Sequence, residues 1–165
     1  MKQQLKLNSG WSYCSEQILQ FERDLGKSDS INIVEFGAGD SSVKIYEYFL
    51  QKYKNIAYTC YETDAKWAPK HSHIEPIIYE SVRDVVLRDE IYDLVLVDGP
   101  TGIGRKFWYE KLKSVTKAGT IIHIDDYDHY KEFEEELVKN LHFDELYRKN
   151  RKVKGEKSWL TVKIR

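Results

Sequence analysis

The sequence predicts an α/β fold: a mostly parallel, seven-stranded sheet whose last strand enters antiparallel, with helices on both faces, in a single domain spanning 1–165 with residues 1–28 as a helical lead-in. Three observations lead there. Short runs rich in β-branched and aromatic residues, INIVEF, IAYTCYE and LVLV, alternate with segments whose apolar residues recur at helical spacing. The strand runs stop on carboxylates or glycine turns, where buried parallel strands leave the core. The chain finishes with Phe143–Tyr147, a polar turn at 148–157 and an alternating run Trp159–Ile164, which is the pattern of a terminal antiparallel hairpin.

Taken in order, Trp11, Ile18, Leu19, Phe21 and Leu25 share one helical face over 11–25, and Gly26 ends that helix. Ser9 to Tyr13 reads as its capped start, with a flap over a ligand as the alternative. Ile31 to Phe36 forms the first strand, Gly37 and Gly39 the turn, and Asp40, Ser41 or Ser42 the cap of a helix running to about Tyr53 on Val43, Ile45, Tyr46, Phe49 and Leu50. Ile56–Tyr61 is the second strand and ends at Glu62; Ile74–Tyr79 is the third, followed by a short amphipathic helix over Val82–Leu87. His71 and His73 precede that strand as solvated loop residues, with no cysteine or further histidine beside them to make a metal set. Tyr92–Pro100 gives the buried fourth strand, stopped by Gly99 and Pro100 so that Asp98 stands at the carboxyl edge of the sheet. A glycine-punctuated loop, 101–105, leads to a helix marked by Phe107, Trp108, Leu112 and Val115 and ended by Gly119. Thr120–Ile124 is the fifth strand, stopping on Asp125 and Asp126. Tyr127, Tyr130, Phe133, Leu137 and Leu141 then line one helix face, opposite an acidic run from Glu132 to Glu136.

Composition narrows the function classes. With 165 residues, 41% apolar and 13% aromatic, the chain can bury one substantial core. A net charge of -1 supplies no global field for nucleic acid or an anionic membrane. Cys14 and Cys60 lie in unrelated segments and read as reduced core thiols. There is no secretory h-region and no membrane-length apolar run, so the expected location is cytoplasmic.

Charge decides what the first turn can hold. A dinucleotide would place its pyrophosphate on the helix N-terminus and would call for G-x-G-x-x-G; here the third glycine position is Ser42, and Asp40 occupies the phosphate's ground. A cofactor bearing an ammonium and a sulfonium reverses both objections, and Glu35 adds negative potential. These are the features of S-adenosylmethionine. Glu35, Gly37, Gly39 and Asp40 resemble the first motif of the class I methyltransferases, which implies their Rossmann-like fold. Glu62, 23 residues beyond Gly39, is where the ribose-binding carboxylate is expected. Ser81, with Glu80, is expected at the adenine edge, and Asp98 beside the cofactor.

Glu35, Asp98, Asp125 and Asp126 crowd one sheet edge, and like charges so placed call for something positive among them. The cofactor answers for part. Mg²⁺ or Mn²⁺ held by Asp98, Asp125 and Asp126 would answer for the rest and would orient and acidify a substrate hydroxyl, whereas helix-capping and turn-forming aspartates are the alternative. GTIIHIDDY together with Asp98 resembles the metal-dependent small-molecule O-methyltransferases, including those acting on antibiotic sugars. DGPTG followed by Gly104-Arg105 resembles elements of the plant glucuronoxylan O-methyltransferases. Both resemblances imply a hydroxyl of a sugar, glycan or related polyhydroxylated molecule as acceptor. Where the antibiotic-sugar enzymes carry a second aspartate as proposed base, this chain has Pro100, which leaves deprotonation to a metal, Asp126, His123 or His129, with Asp98 counted among the catalytic residues through the metal. Arg105 and the turn Arg148–Lys157 form a basic surface, readable as a solvated hairpin tip or as a seat for an anionic substrate. Aminopropyl transfer and a non-catalytic cofactor-binding partner subunit are the competing functions. A homodimer is one way to cover so short a chain's substrate site.

Overall fold

A computed structural model describes residues 13–130, 134–153 and 156–165. Residues 9–12 of the expected flap, with Trp11, and Glu132, Phe133, Lys154 and Gly155 of the later expectations lie outside the described residues.

Strand β1 (Ser30–Phe36) is the middle one of five parallel strands, and it pairs with β2 (Asn55–Glu62) on one side and β4 (Leu94–Val97) on the other. Outside these lie β3 (Ile74–Ile78) and β5 (Ile121–Asp125), both parallel. The terminal hairpin adds β6 (Phe143–Lys149) and β7 (Trp159–Ile164), with β7 antiparallel to β5 and β6 outermost. The strand order is β3-β2-β1-β4-β5-β7-β6; the seven strands, mostly parallel with the last one antiparallel, are as the sequence predicts.

Pleating sorts the strand residues into two cores. The register rows Ile33–Leu94–Ile121 and Glu35–Leu96–His123 face one side; Val34–Val95–Ile122 and Phe36–Val97–Ile124 face the other. The first side is covered by α1 (Ser15–Asp24) and α2 (Asp40–Leu50) through Ile18, Phe21, Ile45 and Phe49. The second is covered by α3 (Gly104–Lys111) and α4 (Glu134–Asn140) through Trp108, Tyr109 and Leu137. Trp108 stacks on Phe36 with ring centroids 4.0 Å apart. The sheet is therefore buried on both faces, which is why its central strands are continuous apolar runs.

Two helices differ from expectation. The segment after β3 makes only a 3₁₀ turn, Val82–Asp84, because Val82 and Val85 reach the core while Val86 is 90% exposed, so no continuous apolar face exists to hold further turns. The segment after β5 breaks as well: Asp126 takes a left-handed conformation at φ 51, a 3₁₀ turn covers Tyr127–His129, and regular helix resumes at Glu134. No helix among the described residues is long and apolar enough to cross a membrane.

Candidate functional site

The site is built where the strand order reverses, between β1 and β4. The Phe36 carbonyl accepts hydrogen bonds from the amides of Asp98 (2.8 Å) and Gly99 (2.7 Å), and the Gly37 amide donates to the Tyr61 carbonyl (2.8 Å), so three strand ends are laced together. Gly37 sits at φ +92, and a Cβ there would lie 2.2 Å from the Gly99 nitrogen. Its lack of a side chain serves β4. At Gly39 a Cβ would meet nothing within 4 Å.

Beyond Gly39 opens a cleft of about 700 Å³, lined by the turn Gly37–Ser41, by Glu62, Thr63, Asp64 and Trp67 after β2, and by Asp98–Thr101 after β4. Its described lining carries the acids Asp40, Glu62, Asp64 and Asp98 and no Lys, Arg or His. Glu62 is held rigid by one oxygen, since Oε1 accepts from the amides of Thr63 (2.7 Å) and Asp64 (3.0 Å) and from the Thr63 hydroxyl (3.0 Å). Oε2 has no hydrogen-bond partner among the described residues. Trp67, 55% exposed on the wall, offers a planar apolar surface in the same cleft. The sequence reading passed over it because Pro69 marks its segment as a broken loop; an exposed tryptophan just after the second strand was the available signal.

Of the expected cofactor residues, Gly37, Gly39, Asp40, Ser41, Glu62 and Asp98 meet in this cleft. Glu35, Ser42 and Ser81 do not line it. Glu35 and Ser42 lie buried beneath: the Gly39 amide donates to Ser42 Oγ (3.0 Å), the Ser42 hydroxyl donates to Glu35 Oε2 (2.5 Å), and the Tyr58 hydroxyl donates to the same oxygen (2.8 Å). Burial pushes the Glu35 carboxyl up to about 8, against the pull of those two donors. Its Oε1 has no partner among the described residues. Ser81 instead caps the 3₁₀ turn, accepting from the Arg83 amide (3.3 Å).

Two of the three expected metal ligands, Asp125 and Asp126, are already paired with side chains. Asp125 is buried, with Oδ1 accepting from Gln17 Nε2 (2.7 Å) and Oδ2 facing Lys157 Nζ (3.0 Å). Asp126 pairs with Arg151 (3.1 Å). Arg105 is no surface residue: buried at 2% exposure, it stacks on Tyr130 at 4.0 Å and donates to the main-chain oxygens of Asp98, Pro100 and Asp125. No group of three or more metal-ligating side chains is assembled among the described residues. The donor set does not fit a divalent ion, and the expectation of Mg²⁺ or Mn²⁺ at Asp98, Asp125 and Asp126 is corrected accordingly.

Asp98 differs from its neighbours in having no side-chain partner. Burial, then the charge of Asp125, pushes its carboxyl up to about 7, while Arg105 and Lys157 pull it down. That suits a proton acceptor near neutral pH. His123 does not: it is fully buried, Nε2 accepts from Gln17 Nε2 (2.9 Å), and Nδ1 therefore carries the proton toward Thr161 Oγ1 (2.9 Å). Burial depresses His123 to about 3. His129 is exposed and engaged by Arg151 at 2.6 Å. Both histidines and Asp126 thus stand outside the cleft as structural partners, and Asp98 is the expected catalytic residue that lines it.

No protein-family model matches the sequence, and no curated protein matches it. Solved structures do match. An rRNA methylase from Streptococcus thermophilus is 15% identical, with a TM-score of 0.65 over 90% of this chain and 94% of that one. A S-adenosylmethionine-dependent methyltransferase from Clostridium acetobutylicum is 12% identical, with a TM-score of 0.62 over 94% and 91%. The N-methyltransferase NodS from Bradyrhizobium japonicum, in complex with S-adenosyl-L-homocysteine, is 12% identical, with a TM-score of 0.59 over 90% and 86%. The shared feature is the fold: the seven-stranded sheet, with its last strand antiparallel, matches the Rossmann-like fold of these structures.

Proposed function

We propose that the chain is a S-adenosylmethionine-dependent methyltransferase acting on a hydroxyl of a sugar, glycan or related polyhydroxylated small molecule. The observation that carries the first part is the acid-only ionisable lining of the cleft, with Glu62 Oε2 uncommitted at one end and Asp98 at the other. A phosphate-bearing dinucleotide would be repelled there, whereas a cationic nucleoside is attracted. The residues fit that cofactor: Glu62 for the ribose hydroxyls, Trp67 for the flat base, and the Gly37–Ser41 turn with the α2 N-terminus for the amino-acid end. When bound, the sulfonium supplies an electrophilic methyl group. Asp98 takes the proton from the attacking hydroxyl, and the buried Arg105 fixes the main chain that carries Asp98. The hydroxyl acceptor is supported by the DGPTG and Gly104-Arg105 resemblance and by a carboxyl poised near neutrality beside the cleft.

Calorimetry with S-adenosyl-L-homocysteine tests the cofactor. Binding is expected in the wild type and weakened roughly tenfold or more in Glu62→Ala, which is about 1.4 kcal/mol, with quenching of Trp67 fluorescence that Trp67→Phe abolishes. Absence of heat, or heat with NAD instead, overturns the reading. Mass-spectrometric detection of methyl groups on amines alone, across a panel of hydroxyl and amine acceptors, would overturn the O-methylation half.

A further inference from the structure

The strand-end carboxylates are matched by cations drawn from distant parts of the chain. Lys157, in the approach to β7, faces Asp125 at 3.0 Å; Arg151 faces Asp126 at 3.1 Å; and Arg105 brings its charge to the main chain of Asp98. Lys157 is well enclosed, with its side chain 19% exposed against an Asp125 side chain 2% exposed. Asp125 has no oxygen to spare, because Gln17 occupies the other one. A divalent ion seated on Asp125 would have to displace Lys157 or Gln17 from a carboxylate oxygen, and a hydrated Mg²⁺ or Mn²⁺ in the place of Lys157 would gain one carboxylate while leaving an enclosed ammonium without its acceptor.

We propose that Lys157 is the resident cation of this sheet edge: it holds Asp125 in place, faces the same cluster as Asp98, and keeps divalent metal out. This inference is independent of which nucleoside fills the cleft, and it separates the chain from the metal-dependent enzymes that GTIIHIDDY resembles. Lys157 is a positioning residue. Its ammonium acts through Asp125 and the local field, and any proton removal from an acceptor stays with Asp98.

The test is a Mn²⁺ titration of the full chain followed by electron paramagnetic resonance, where bound ion loses the free-ion signal. Wild type is expected to leave the signal undiminished through the millimolar range. Lys157→Ala is expected to take up Mn²⁺ roughly tenfold or more tightly than wild type, and Lys157→Arg to behave as wild type. Lys157→Gln carries the same test should circular dichroism show Lys157→Ala unfolded, and the wild-type titration needs no variant at all. Sub-millimolar binding by wild type that Asp125→Asn abolishes would overturn the proposal. So would a folded Lys157→Ala or Lys157→Gln with no gain in Mn²⁺ uptake. Neither result touches S-adenosyl-L-homocysteine binding, so failure here and failure of the proposed function are separable.

Discussion

Glu35 shows how one residue type can be read correctly for its charge and misplaced for its job. Its position at the end of β1 is plain in the sequence, but whether a strand-end carboxylate points into a cleft or under it depends on the pleat. Here the pleat turns it toward Ser42 and Tyr58. Burial raises its folded value to about 8, above that of an unfolded glutamate. Between the two values the folded chain keeps a proton that the unfolded chain has lost, so this group's contribution is intact at acidic pH and is lost as pH rises through about 8. The expected outcome is a wild-type melting temperature that falls by several degrees relative to Glu35→Gln from about pH 6 to about pH 9; parallel pH profiles would contradict it. Glu62 was legible because spacing from a glycine turn is a local property. Lys157 and Gln17 were not, since their partner Asp125 lies 32 and 108 residues away, and no periodicity reports a pairing of that span.

At the level of elements, the strands were read well and the shorter helices less so. Strands Ile31–Phe36 and LVLV announce themselves because burial on both faces demands unbroken apolar runs. The Val82–Leu87 and Tyr127–Leu141 segments carry apolar residues at helical spacing, yet the backbone follows other constraints: Val86 has nothing to pack on, and Asp126 turns left-handed before the Tyr127–His129 turn. The glycine turn was placed correctly, but for a different neighbour than a ligand. Gly37→Ala would combine a positive φ with a Cβ 2.2 Å from Gly99, and should cost more than about 2 kcal/mol. Denaturant melts read it directly. Gly39→Ala, facing open space, should be nearly neutral for stability while weakening S-adenosyl-L-homocysteine; equal stability losses at the two glycines would refute this account.

Across the whole molecule, α1 is tied to the far strands of the sheet by polar side chains: Gln20 Oε1 accepts from Trp159 Nε1 (3.2 Å), Glu16 pairs with Lys149 (3.1 Å), and Gln17 reaches β5. Gln17 Oε1 accepts from the Cys14 amide (2.7 Å), while its Nε2 serves both His123 and Asp125. Tyr13, just ahead of α1, is fully buried against the rings of Phe21 and His123. Removing the amide in Gln17→Ala strands a buried imidazole nitrogen and weakens the hold on a buried carboxylate, a loss of about 2–4 kcal/mol, seen as a lower thermal midpoint. A change below about 0.5 kcal/mol would mean that α1 is held by its apolar face and by Gln20 and Glu16, without a contribution from Gln17. The mostly parallel character of the sheet was legible from the alternation of strand runs and helices, whereas the order of its strands is set by contacts between distant segments that no local pattern reports.

The two rims of the sheet carry a further consequence. On one side β3 contains Pro76, which has no amide hydrogen to give to a neighbour; on the other, the pairing of β6 with β7 slips between Glu145 and Tyr147. Each irregularity spoils the straight row of main-chain donors and acceptors that recruits an extra strand from solution. Concentrated samples should therefore resist fibril formation, and Pro76→Val should raise thioflavin fluorescence on prolonged incubation where wild type stays dark.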